Sequence, residues 1–263
     1  MERMWDSFKP KENVWYRWRL NGAEAYLRKN GENWDTAFKT IPLLERTADY
    51  GGPEEGCEPS NADIAHSWAE GESVSLHPYL SPKPYLPTVR EKVRILPGMG
   101  TGFVANLPPL LKFELSPEAV LAESMPFMVP QTWFGADTMI GEFGHSLIGA
   151  LRSHQESAEE KSSILIHCEI YVKNNAKIPF DMDHFAVYPE PLNVYLHNNQ
   201  LISDSLELEF LGILEFTGAV EKVTVNEIEC PDHQLLSPGI KTGVGQLIAK
   251  HSVNIIKNIT RFY

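Results

Sequence analysis

Residues 14–39, VWYRWRLNGAEAYLRKNGENWDTAFK, decide the fold class. Val14, Tyr16, Trp18 and Leu20 alternate with Trp15, Arg17 and Arg19, the period of two expected of a half-buried strand. Asn21-Gly22 follows at once and Asn30-Gly31 closes the next segment, AEAYLRK. Asn-Gly tolerates the positive φ angles of a tight hairpin turn, so the stretch predicts a three-stranded meander.

The same signals recur further along the chain. REKVRIL (90–96), GFVAN (102–106) and LLKFEL (110–115) are short strand candidates separated by PGMGT and LPP. SSILIHCEIYVKN (162–174) puts Ile164, Ile166, Cys168, Ile170 and Val172 on one face and Leu165, His167, Glu169 and Tyr171 on the other. FAVYPEPLNVYLHNNQLISDSLELEFLGILEFTG (185–218) adds three or four strands. LSPKPYLPTV (80–89) must run extended because proline fixes φ and restricts its predecessor, and it reads as a rim or edge strand. SPEAVLAESMPFMVP (116–130) reads as a proline-punctuated connection. Strands without convincing helices between them predict an all-β protein, an antiparallel β-sandwich with two β-rich lobes. The expected division is an N-terminal meander lobe over 1–120, a sandwich lobe over 121–232 and a basic segment over 233–263.

Composition narrows the function classes. The 263 residues are 43% apolar and 22% charged, enough to bury a substantial core. No apolar run approaches the roughly 18 residues of a membrane span, and MERMWDSFKPKEN has neither the apolar region nor the cleavage site of a signal peptide. Cys57, Cys168 and Cys230 are far apart and odd in number, which fits a reducing, cytoplasmic setting. A net charge of −12 with no basic stripe argues against nucleic acid as a partner. The charge is segregated: residues 49–72 (DYGGPEEGCEPSNADIAHSWAEGE) carry seven acids and no Lys or Arg, whereas 233–263 carry Lys241, Lys250, Lys257 and Arg261 and no acid. Four glycines and two prolines make the acidic stretch read as an exposed loop with one turn of helix at NADIAHSW. A loop of that length in a compact domain is a candidate contact surface.

Residues 132–151, TWFGADTMIGEFGHSLIGAL, suit a helix and a strand almost equally by hydrophobic spacing. Glu142 and His145 have the i, i+3 spacing at which one helical turn can offer a carboxylate and an imidazole to a metal. Gly141, Gly144 and Gly149 would each cost a helix about 1 kcal/mol relative to alanine. Read instead as a turn at FGAD and a strand from Glu142, the two side chains point to opposite faces, and Gly144 marks a bulge or a close backbone approach. Asp181, Asp183 and His184 form a second candidate cluster for a metal or a shared proton, against the plainer reading of a polar turn. CPDH (230–233) has two soft ligands but no second pair at zinc spacing. No cofactor is expected, since Walker, nucleophile-elbow and dinucleotide-binding patterns are all missing. Six tryptophans would suit sugar stacking, although Trp15, Trp18 and Trp34 fit the core and cross-strand ladder of the meander.

The terminal VGQLIAKHSVNIIKNITRFY (244–263) spaces Val244, Ile248, His251, Ile255, Ile259 and Phe262 by threes and fours, so an amphipathic helix is expected, with a β-branched closing strand as its competitor. Val244, Leu247, Ile248, Ile255, Ile259 and Phe262 would give apolar contact and Lys250, Lys257 and Arg261 the charge to dock on a partner or an anionic membrane.

WFGADTMIGE, taken with IYVKNNAKIPFDMDHFAVYPEPLNVYLHNN, resembles a prokaryotic family catalogued as domain of unknown function 432. The shared pattern is an aromatic-Phe-Gly turn, a Gly-Glu strand entry, an I-Y-V-x-N strand, a proline and a V-Y-x-x strand, and it covers about residues 80–220. The resemblance implies a β-rich fold without an established activity and brings no residue roles. Members occur beside genes for small-conductance mechanosensitive channels, which implies an accessory channel subunit at the inner face of the membrane. The leading expectation is a non-catalytic interaction protein. Its competitor is a sugar-directed or metal-dependent enzyme gathering Asp137, Glu142, His145, Asp181, Asp183 and His184, or a glycan-binding module.

Overall fold

The structure is a computed structural model that describes residues 4–42, 50–116, 119–127, 129–135, 141–153, 164–214, 218–228 and 232–240. Its regular elements are all strands. In chain order they are β1 (Trp15–Leu20), β2 (Ala23–Asn30), β3 (Asn33–Thr40), β4 (Tyr50–Glu55), β5 (Ile64–Trp68), β6 (Ser75–Tyr79), β7 (Tyr85–Ile95), β8 (Gly100–Leu107), β9 (Leu110–Ser116) and β10 (Ala119–Ser124). There follow β11 (Gln131–Gly135), β12 (Gly141–Ser153), β13 (Ile166–Asn174), β14 (Phe180–His184), β15 (Val194–His197), β16 (Gln200–Ser203), β17 (Ser205–Leu214), β18 (Gly218–Asn226) and β19 (Gln234–Ser237).

The meander forms as its alternation requires, with β1, β2 and β3 paired antiparallel through the two Asn-Gly turns. Adding β4 beyond β1 and β5 beyond β3 makes a five-stranded sheet of order β4-β1-β2-β3-β5. Its inner face, with Trp18, Leu20, Leu27 and Trp34, packs on a three-stranded sheet of order β10-β9-β6. The rings of Trp18 and Phe38 lie 5.2 and 5.5 Å from Phe113 of β9, the interdigitation of a sandwich core. The other described strands form an eleven-stranded mixed sheet, with β7 parallel to β12 and β13 parallel to β16 and β17. The all-β, sandwich-type expectation therefore holds.

The face pattern read from residues 164–174 also holds: Ile166, Cys168, Ile170 and Val172 are buried, while their neighbours on β13 are more exposed. One core cluster runs from Met4 to Leu236. The division expected near residue 120 falls inside β10. Pairings of β7 with β12 and of β8 with β12 and β13 span it.

Several local expectations change. The acidic stretch read as a loop with a helical turn contains two strands, β4 and β5. β5 pairs with β3 through Ala37↔Ile64, Asp35↔His66 and Asn33↔Trp68, so NADIAHSW enters a strand because the open edge of the meander supplies its hydrogen bonds. The proline-rich 80–89 stretch is no rim: its second half opens the eleven-residue β7, which lies between β14 and β12. The 116–130 connection contains β10. Residues 132–151 hold strands, with β11 and β12 paired from Gln131↔His145 to Gly135↔Gly141. Gly144 sits where a Cβ would lie 2.8 Å from the Pro84 carbonyl oxygen, and His145 N–H donates to that same oxygen. Close backbone approach is the reason for glycine there.

Candidate interaction surfaces

Of the residues weighed for metal chemistry, the three whose side chains are described, Glu142, His145 and Asp181, each meet a different neighbour. Glu142 and His145, three apart on β12, leave opposite faces: Glu142 accepts a hydrogen bond from the Tyr188 hydroxyl at the surface, and His145 points inward. His145 Nε2 lies 2.9 Å from Ser81 Oγ, and its ring packs 5.3 Å from Tyr85. Burial, then the nearby Lys83 charge, holds this imidazole below its ordinary pKa. A serine–histidine nucleophile needs a group orienting the second ring nitrogen, and His145 Nδ1 has no hydrogen-bond partner among the described residues. The pair is a buried hydrogen bond between the segment before β7 and β12.

Asp181 is occupied by Arg94, whose Nε and Nη2 approach its oxygens at 2.6 and 2.7 Å. The side chains of Asp183 and His184, and all of Asp137, lie outside the described residues. So do Cys230 and the partner-binding candidates Val244, Leu247, Ile248, Lys250, Ile255, Lys257, Ile259, Arg261 and Phe262, together with the helix expected there. Among the described residues, no group of three or more His, Cys, Asp or Glu side chains is placed to hold a metal.

Two surfaces stand out instead. The first is the outer face and open edge of the five-stranded sheet. A polar chain crosses four strands: His66 Nδ1 lies 2.7 Å from Asp35 Oδ1, Arg28 Nε and Nη2 donate to Asp35 Oδ2 at 2.8 and 2.6 Å, and the Arg28 guanidinium lies 4.7 Å over the Trp15 ring. Burial would raise the Asp35 carboxyl, but hydrogen bonds from His66 and Arg28 outweigh it and hold the group below the ordinary carboxylate range. Trp15, Tyr26 and Ala37 form a small buried cluster on this face, with Ala62 packed on it. Residues 56–63 therefore pass over the face between β4 and β5, which lie on opposite edges. At the β5 edge cover ends: Trp68 is 72% exposed and Ile64 41%, flanking His66 in one row.

The second surface is a tip where the β7–β8 turn meets the β13–β14 loop. Fully buried Asn174 ties them together: its Nδ2 donates to the Ile95 and Ile178 carbonyls at 2.9 and 2.8 Å, and its Oδ1 accepts from Ala176 N–H at 2.9 Å. Its backbone N–H donates to the Met99 carbonyl and its own carbonyl accepts from Gly98 N–H, both at 2.8 Å. On this rigid base Leu96, Met99 and Ile178 are 54%, 58% and 43% exposed. Lys92, Lys173 and Lys177 are exposed on the same two segments.

The tip was not singled out from sequence; residues 49–72 were read as a candidate contact surface, but as a loop and not as the strand edge that β5 makes of them. The DIAHSW alternation was available but was masked by the glycines, prolines and acids around it. Leu96 and Met99 frame a Pro-Gly pair that reads only as a turn. Of the six tryptophans weighed for sugar stacking, Trp5, Trp15, Trp18 and Trp34 are buried and Trp133 is half-buried, which leaves Trp68 as the exposed ring.

The sequence pattern of the family described as "Protein of unknown function (DUF432)" matches residues 4–225. No curated protein and no solved structure matches the chain. No helix among the described residues is long and apolar enough to cross a membrane.

Proposed function

The chain belongs to the DUF432 family, and from that premise we propose that it is a non-catalytic interaction protein, an accessory subunit of a membrane assembly such as a small-conductance mechanosensitive channel. The observation that supports this most is the tip: three exposed apolar side chains on hydrogen-bonded turns, among lysines, in a chain of net charge −12. Apolar side chains partition into the headgroup region while lysines meet anionic lipid, so such a tip suits contact at the cytoplasmic face of a membrane. The basic segment beyond residue 240 would add a second contact through Ile255, Lys257, Ile259 and Arg261.

Affinity purification from native membranes tests the reading. Leu96→Glu with Met99→Glu should reduce co-purification of membrane material, because it replaces apolar contact by charge of the repelling sign. Deleting 241–263 should reduce it further and leave the core folded, since β19 is held by β15 and Gly239 N–H by Asn193 Oδ1. Unchanged recovery by both variants would sink the proposal. The alternative of a glycan-binding module draws on exposed Trp68, and a glycan array with the Trp68→Ala variant separates the two.

A further inference from the structure

The open edge of β5 carries an inference beyond membrane contact. Ala69 N–H donates to the Glu32 carbonyl, and the register Asn33↔Trp68 through Ala37↔Ile64 then turns the backbone groups of Ser67 and Ala65 toward β3. The N–H and C=O groups of Ile64, His66 and Trp68 therefore face outward. No backbone hydrogen bond among the described residues reaches them. Edge strands are commonly guarded by proline, lysine or a bulge, and β5, Ile-Ala-His-Ser-Trp, has none of these. The acids Asp63, Glu70 and Glu32 bracket it, all exposed and without an ion pair among the described residues.

The geometry points to β5 as a docking edge for an extended segment of another protein, apolar at alternate residues and basic at its ends. Its backbone would pair with Ile64, His66 and Trp68. Its apolar side chains would cover Ile64 and Trp68, and its Lys or Arg residues would meet Asp63 at one end and Glu32 and Glu70 at the other. A second copy of this chain fits less well. Antiparallel self-pairing through β5 would bring together two stretches that each carry seven acids and no Lys or Arg.

The probe is a blocked peptide, Lys-Thr-Val-Thr-Val-Thr-Val-Thr-Lys, added to the full chain, with a counterpart bearing Glu for Lys. The basic peptide should bind at least about tenfold tighter than the acidic one and weaken as salt rises. On its addition, amide exchange should slow at Ile64, His66 and Trp68. Trp68→Glu should weaken binding about tenfold while leaving the melting temperature unchanged. Equal binding of the two peptides overturns the proposal, as does unchanged exchange at the three amides. Sedimentation covers the other occupant: a wild-type dimer that Trp68→Glu converts to monomer assigns the edge to a second copy and overturns the proposal too. These readouts are independent of the membrane experiment, so either reading can fail alone.

Discussion

The two edges of the five-stranded sheet are built to opposite rules. β4, Tyr-Gly-Gly-Pro-Glu-Glu, places a proline in the edge strand, shifts its register against β1 between Arg17 and Arg19, and ties Glu54 to both arginines. Hydrogen bonding to Arg17 first, with further help from Arg19, holds the Glu54 carboxyl below its ordinary range. Proline without an N–H, a bulge and charge are the usual means of stopping a further strand from adding. β5 lacks all of these and exposes a tryptophan. A sheet that closes one edge and leaves the other open has a direction in which it can be extended.

The largest expected effect lies on the closed edge. Gly52 has φ +142°, and a Cβ there would lie 2.9 Å from both the Arg17 carbonyl oxygen and the Trp18 Cα. Gly52→Val should cost about 3 kcal/mol or more, by backbone strain and displacement of β1 together. A fall in the urea midpoint measures it. A change within error would mean that β4 is not held against β1 as described.

Second comes the chain linking the open edge to the interior. Asp35→Asn removes the charge that His66 and Arg28 share and should cost about 1–3 kcal/mol. Because the folded pKa of Asp35 is depressed, its contribution is fully present above the unfolded value near ~4 and is lost as pH falls through the lower folded value. Stability measured from neutral pH downward should therefore fall less steeply in Asp35→Asn than in the wild type within that acid window. Parallel curves would remove Asp35 from the account.

A smaller effect tests strand orientation. Trp68→Pro removes an N–H that faces outward, whereas Ser67→Pro removes one that bonds to β3. The first should be milder by about 1–2 kcal/mol, the worth of a ladder hydrogen bond and its neighbours. Equal costs would mean that the outward groups are already engaged.

The same contrast explains what was legible beforehand. The meander could be read because its alternation and its Asn-Gly turns agree, and β13 because five apolar residues recur at a period of two. β4 and β5 could not, since neither has a strong propensity of its own. Gly51, Gly52 and Pro53 argue against a strand, and β5 forms because a paired β3 offers it hydrogen bonds. For β4 such context leaves no periodic trace, and for β5 the short DIAHSW alternation is outweighed by the glycines, prolines and acids around it. Gly144 was readable as a close-approach position, but the Ser81 and Pro84 groups that meet β12 come from more than sixty residues away by hydrogen bond and backbone contact. The tip was hidden for a related reason: Asn174, at the end of a legible strand, ties two turns together through contacts that span up to 79 residues.

The smallest expected effect is the most discriminating between the edges. Trp68→Glu removes an indole that is mostly in water, so little apolar burial is lost, and β3 pairs with the backbone of β5 rather than with this side chain. Folding stability should change by no more than about 0.5 kcal/mol. A core tryptophan such as Trp34, fully buried with its indole N–H donating to the Ala69 carbonyl at 2.9 Å, should cost about 3–5 kcal/mol when cut to alanine. If thermal denaturation shows Trp68→Glu to be as stable as the wild type, Trp68 has no folding role and the edge stays open, as the docking proposal requires. A loss comparable to that of Trp34 would instead make Trp68 part of the core and the edge a closed one.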